Sequence, residues 1–260
     1  MSRSADAWLP FLAAAADRAD EIALRFFQKP GLRVEEKADL SPVTEADQAI
    51  EATVRALARE RHPDLGVLGE EQGTAAGMRG GDARLIIDPI DGTRNFVRGI
   101  PVFATLLAIE VGDEVVAGVV SAPALHARWH ASRGAGAFRG ERRLHVSGVR
   151  ALEHALLFHG NLGTGEAGPP AGIGRLIGRV ERTRGFGDFY QHMLVAEGAG
   201  EIAVDPVMQP WDIAALQVIV EEAGGRATTL AGERSISGGS LVTSNGPMHQ
   251  AILNTLASLE

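Results

Sequence analysis

The sequence predicts an α/β protein with an α+β first half, and three observations carry that reading. Apolar residues near the N-terminus recur three and four positions apart, the period of an amphipathic helix. Between residues 85 and 120 the pattern changes to short runs rich in Val, Ile and Leu, bounded by glycines and acids, as strands are. From about residue 151 strand-like and helix-like segments alternate. At 260 residues and 45% hydrophobic, the chain can fill one large core or two closely packed ones. Glycines number 32 and aromatics only 5%, which suits many tight turns better than an all-β sandwich. The expected division is an α+β part over 1–150 and an α/β part over 151–260, without a linker and so with a shared cleft.

In chain order, Trp8, Phe11, Leu12, Ala15, Ala16, Ala19, Ile22, Ala23, Phe26 and Phe27 form one helical face, which Pro30 and Gly31 end. "LRVEEKADLSPV" is charged and irregular and reads as an exposed loop. Thr44 and Asp47 approximate a capping box for a second helix, whose buried stripe is Ile50, Val54 and Leu57. Strands are expected at 85–87, 102–109, 115–120, 136–139 and 143–146. In the second half, strands at 156–158, 202–204 and 241–243 alternate with helices at 173–180, 190–198 and 213–223, and a helix closes the chain.

Several function classes drop out. A formal charge of −8 disfavours a nucleic-acid binder, and the arginine-rich "RGERRLHVSGVR" reads as a solvated hairpin edge. Cysteine is absent, which removes disulfides, zinc–thiolate sites and thiol nucleophiles. "MSRSADAWLPF" has no secretory pattern and no apolar stretch approaches a membrane span, so the expectation is a cytoplasmic protein. "GTGEAG" at 163–168 matches a dinucleotide fingerprint in letters, but two prolines follow it where a helix should begin, so it reads as a surface loop.

The chemistry concentrates in "LIIDPIDGTRNF". An apolar run ends in Asp88 and Asp91, three residues apart, and like charges so placed repel unless something positive lies between them. Pro89 and Gly92 are expected to turn the chain sharply, and "TRNF" to begin a helical turn whose backbone N–H groups face the same point. Two further acidic groups stand at the ends of apolar elements: Glu70 with Glu71 after the run in "LGEE", and Asp212 at a helix start in "PWDIAA". Each alone would be an ordinary turn or cap acid. Together, with oxygen donors and no thiols, they suit a hard cation, Mg²⁺ with Mn²⁺ as substitute, beside a phosphate.

"GEE", "DPIDGTRNF" and "PWDIAA", in this order and at these separations, resemble the signatures of the inositol monophosphatase-like family of Mg²⁺-dependent phosphatases. The resemblance runs from the first helix to "GGSLVTSNG". It implies a five-layer α-β-α-β-α sandwich, a homodimer, and hydrolysis of a small phosphate monoester by metal-activated water. Residue by residue, it implies metal ligation by Glu70, Asp88, Asp91, Asp212 and the carbonyl of Ile90, and phosphate binding by the N–H groups of Gly92 and Thr93. Thr93 with Asp47 would orient the attacking water, alongside Glu70; Lys37 matches a mobile-loop lysine that completes the metal site. The metal and phosphate site would lie in 1–150, and 151–260 would complete the substrate pocket.

Within the family, "KADLSPVTEAD", "GVVSAPALHARWHASRGAGAF" and "GFGDFYQHMLVAEG" look like the histidinol-phosphatase branch, an activity of histidine biosynthesis. Histidinol carries an ammonium and an imidazole, so its pocket should offer carboxylates. Asp188 and Asp205 fall where the family contacts the alcohol; Asp205 stands where Glu is common, and Asp188 could instead be a helix cap. The alternatives are an inositol-1-phosphate or broad sugar-phosphate phosphatase, and a non-catalytic regulator that binds a protein or RNA.

Overall fold

The N-terminal helical face forms α1 (Leu9–Phe26) in the computed structural model, which describes residues 4–36, 42–78, 80–161 and 171–257. The supposed loop after it is instead a short antiparallel pair, β1 (Val34–Glu36) with β2 (Pro42–Thr44), leading into α2 (Glu45–Arg61). Its charged residues hid the pairing, because both faces of β1 are exposed and no alternation is needed. The capping box of α2 forms as expected: Thr44 Oγ1 accepts from the Asp47 N–H, and the Asp47 carboxylate accepts from the Thr44 N–H at 2.8 Å.

An eight-stranded sheet follows, built from β3 (Gly66–Gly69), β4 (Gly73–Ala75), β5 (Ala83–Asp91), β6 (Ala104–Val111), β7 (Glu114–Ala122), β8 (Ala127–Ser132), β9 (Gly136–Arg139) and β10 (Arg142–Arg143). Its order is β10-β9-β8-β7-β6-β5-β3-β4, antiparallel except between β3 and β5. A helical turn, α3 (Thr93–Val97), separates β5 from β6. The second half gives β11 (Leu156–His159), α4 (Ala171–Ile177), β12 (Arg182–Gly185), α5 (Asp188–Ala196), β13 (Ile202–Asp205), α6 (Pro210–Glu222), β14 (Arg226–Thr228), β15 (Leu241–Ser244) and α7 (His249–Ala257). These strands form a five-stranded mixed sheet of order β12-β11-β13-β15-β14.

Alternation along the strands assigns the layers. Leu85 and Ile87 of β5 face α1 and α2, whereas Ile86 faces α6. Helices α5 and α6 lie between the sheets, and α4 and α7 cover the outer face of the smaller one through Ile173, Leu176 and Ile252. The layers therefore run α-β-α-β-α. Helix α6 has apolar residues on all sides, from Ile213 to Val220, because it is buried between two sheets. Strands β12 and β14 escaped the sequence pattern because they are three- and four-residue edge strands; "RTRG" has no apolar residue to mark it. No helix among the described residues is long and apolar enough to cross a membrane. Lys37 and the "GTGEAG" segment lie outside the described residues.

Candidate active site

Strand β5 does not stop at Pro89 as the sequence suggested. It continues to Asp91 through a bulge, with Asp88 opposite Leu106 and Asp91 opposite Ala104, so one extra residue lies on the β5 side. Proline suits this place because a bulge leaves its missing N–H without a ladder partner. The Pro89 carbonyl instead accepts from Thr105 Oγ1 at 2.8 Å. Gly92 then takes φ +83°, and a Cβ there would stand 2.9 Å from the Val102 carbonyl oxygen; both facts require glycine. Thr93 opens α3, and its hydroxyl lies 2.9 Å from the Ile90 carbonyl oxygen and 3.4 Å from Asp47 Oδ1. Thr93 and Asp47 thus lie within reach of each other, and the shorter contact of the hydroxyl is to Ile90.

Glu70 follows β3, the parallel neighbour of β5, so that register brings it to the end of the strand that carries Asp88. Its N–H donates to the Ile87 carbonyl at 3.2 Å and prolongs the pairing. Asp212 is the third residue of α6 rather than its cap; its Oδ2 accepts from the Gln209 N–H at 2.7 Å. Asp47 stands at the same position of α2. Both acids are thus the reciprocal member of a capping box, with one oxygen occupied by the helix end.

The carboxylates influence one another strongly. Burial, then Glu70, Asp91 and Asp212, push Asp88 well above the usual carboxylate range. Burial, then Asp188 and Asp212, raise Asp91 in the same way, against a backbone N–H from Phe189 that lowers it. Asp212 is pushed up to about 7 by burial, despite the Gln209 N–H that lowers it. Asp47 is raised to about 6, again by burial first, with Glu70 among the later causes. Glu70, Asp88, Asp91 and Asp212 therefore converge, and Asp88 Oδ1 is buried with no hydrogen-bond partner. Among the described residues no group of three or more acids or histidines is arranged, as it stands, to hold a metal ion. The donor set nonetheless fits a hard divalent cation: all oxygen, too much buried negative charge, and one orphaned carboxylate oxygen.

That charge excess has a thermodynamic sign. Asp47, Asp88, Asp91 and Asp212 all have folded pKa values above the ordinary 3.8. The metal-free folded state therefore holds protons that the unfolded chain has released. Their stabilising contribution is full below the unfolded pKa and is lost as pH rises through about 6 for Asp47 and about 7 for Asp212. In EDTA, Asp212→Asn should match wild type in Tm at low pH and exceed it above neutrality, and Mg²⁺ should erase that advantage. A Tm difference independent of pH between the two proteins would contradict the cluster.

On the substrate side, Asp188 is the first residue of α5, at φ +51°, and it makes no cap bond; Gly187 holds the cap position. Asp188 Oδ2 accepts from Asn95 Nδ2 at 2.8 Å and would lie 3.3 Å from a Cβ on residue 92. Its carboxyl is raised to about 6 by burial and then by Asp205. Asp205, at the end of β13, is held by Gln191 Nε2 and by His192 Nε2 at 3.0 Å, while His192 Nδ1 reaches Thr243 Oγ1 at 2.8 Å. Sequence reasoning missed Asn95, Gln191 and His192. Asn95 sits inside the quoted acid motif and was available; the other two are recognisable only once β13 and β15 are known to lie beside α5.

Comparison with known proteins identifies the family. A family model described as the inositol monophosphatase family matches residues 5–259. A histidinol-phosphatase of Mycobacterium tuberculosis is 47% identical over 249 residues, 94% of this chain and 95% of that protein. An inositol-1-monophosphatase of Rhizobium meliloti is 34% identical over 89% of this chain and 88% of that one. The crystal structure of the extragenic suppressor protein suhB from Bartonella henselae superposes with a TM-score of 0.90 at 29% identity, covering 97% of this chain and 99% of that chain. By its sequence match over nearly its whole length, its layered fold and its convergent acids, the chain belongs to the inositol monophosphatase family.

Proposed function

We propose that this protein is a Mg²⁺-dependent phosphomonoesterase acting on L-histidinol phosphate. The observation that carries the substrate is the Asp188 carboxylate beside the Gly92 turn, where the alcohol of a bound phosphate ester would emerge. The 47% identical histidinol-phosphatase supports the same reading.

Glu70, Asp88, Asp91, Asp212 and the Ile90 carbonyl would hold the metal. Bound there, Mg²⁺ would neutralise phosphoryl charge and make water a stronger acid. The chain's own residues do the rest. The N–H groups of Gly92 and Thr93, at the start of α3, would bind the phosphate. The Thr93 hydroxyl lies within reach of both Ile90 O and Asp47 Oδ1, and donating to Asp47 would leave its oxygen free to accept a proton from the attacking water. Asp47, raised to about 6 by burial, is a carboxylate able to take a proton near neutral pH. Asp188, with Asp205 behind it, would meet the ammonium or imidazolium of the alcohol.

With Mg²⁺ present, kcat/KM on L-histidinol phosphate should exceed that on myo-inositol 1-phosphate by at least about 100-fold, since two charge-assisted contacts are at stake. A higher value on the inositol ester would establish the alternative substrate class.

A further inference from the structure

Glu51 has no part in the reaction described above, yet it is among the most completely buried charges in the protein, with 0% exposure. It lies on α2, one turn beyond Asp47. Its two oxygens take three donors: the Glu71 N–H at 2.7 Å, the Gln72 N–H at 3.0 Å and Arg55 Nε at 2.7 Å. Arg55 in turn donates through Nη2 to the Gly73 carbonyl at 2.5 Å. The segment after β3 is therefore held through both its donors and an acceptor.

Two details show that the clamp is directed at Glu70. The Glu70 N–H is fixed to Ile87 on one side, and the next two peptide N–H groups are fixed to Glu51 on the other. A Cβ at position 69 would overlap the Glu51 carboxylate, so Gly69 is what permits the carboxylate to approach this backbone.

We propose that Glu51 is a positioning residue that sets the Glu70 carboxylate, and through it the affinity of the acid cluster for a divalent cation, without touching the cation. The proposal rests on the reading of Glu70 as a metal ligand. A buried carboxylate can fulfil this role because Arg55 neutralises it and the two peptide N–H groups saturate it. Gln at position 51 keeps the shape but offers one acceptor oxygen for three donors, so the Glu70 loop loses a restraint while the core stays filled.

The test is direct Mn²⁺ binding to the full chain, measured from the free-ion electron paramagnetic resonance signal, alongside the Mg²⁺ dependence of turnover. Glu51→Gln should raise the Mn²⁺ dissociation constant by about tenfold or more, the usual effect of losing a support behind a ligand. The Mg²⁺ concentration for half-maximal rate should rise in parallel, while kcat at saturating Mg²⁺ stays within about threefold. Should Glu51→Gln fail to fold, Arg55→Lys decides: it keeps the charge but lacks the fork that spans Glu51 and Gly73, and a smaller shift in the same direction is expected. Wild-type Mn²⁺ affinity in the folded variant, with affinity lost in Glu70→Gln, overturns the proposal and leaves the metal site standing. Wild-type affinity in Glu70→Gln as well overturns both.

Discussion

Asp88→Asn should reduce kcat by at least about 10³-fold at saturating Mg²⁺, because a metal-supplied charge is worth several kcal/mol in the transition state and each 1.4 kcal/mol is tenfold. The same substitution should stabilise the metal-free protein. Asp88 is 2% exposed, lies among Glu70, Asp91 and Asp212, and has one oxygen without a partner. Asparagine keeps the volume and is neutral without the proton that burial and the neighbouring acids impose on Asp88, so the gain should appear as pH rises above the ordinary carboxylate range. Loss of turnover and gain of Tm in EDTA are opposite in sign, which separates a functional defect from misfolding. Turnover within about tenfold of wild type, at the same Mg²⁺ concentration, would contradict the role given to Asp88.

The two effects also account for what was legible in the sequence. The acids could be found because each stands at one end of an apolar run: Glu70 after β3, Asp88 and Asp91 at the end of β5, Asp212 at the head of α6. A carboxylate at the end of a buried element is locally conspicuous. Long elements were equally plain, α1 and α2 by their spacing and β6 and β7 by their richness in Val, Leu and Ile. The continuation of β5 through Pro89 was not, since a bulge depends on the partner strand and leaves no mark on its own residues.

Residues that support others were the least legible. Glu51 reads as one more acid on a charged helix until β3 places two backbone N–H groups against it. His192 reads as a lone histidine until Asp205 and Thr243 arrive on either side of its ring. Their roles are set by contacts between elements distant in sequence, on which local propensity is silent. The capping boxes stand between these cases. Thr44 and Asp47 announce a helix start in sequence, but the reach of Asp47 toward Thr93 depends on α2 lying beside β5.

Asp188 is where that limit bears most on function, and Asp188→Asn is the variant that should redirect the enzyme. Its φ of +51° is a conformation that asparagine tolerates well, so the backbone at the start of α5 should survive the change. Asn95 can still bond the side-chain oxygen. What disappears is a negative charge, raised toward neutrality by burial and Asp205 in the free protein and drawn back to the ionised form by a cationic alcohol. A partly buried hydrogen bond to a charged group contributes about 1.5–3 kcal/mol, so kcat/KM on histidinol phosphate should fall by roughly 10- to 100-fold. A phosphate ester of a neutral alcohol should lose no more than about threefold, because it never drew on that charge. Asp205 does not replace Asp188, since Gln191 and His192 already hold its Oδ2 and its Oδ1 would serve the second contact. Asp188→Gly supplies the stability control: glycine relieves the left-handed backbone, so Tm should hold or rise while the preference for the cationic ester is lost. Equal losses on both esters would reduce Asp188 to a structural acid at a helix start and return the choice of substrate to the neutral polyols.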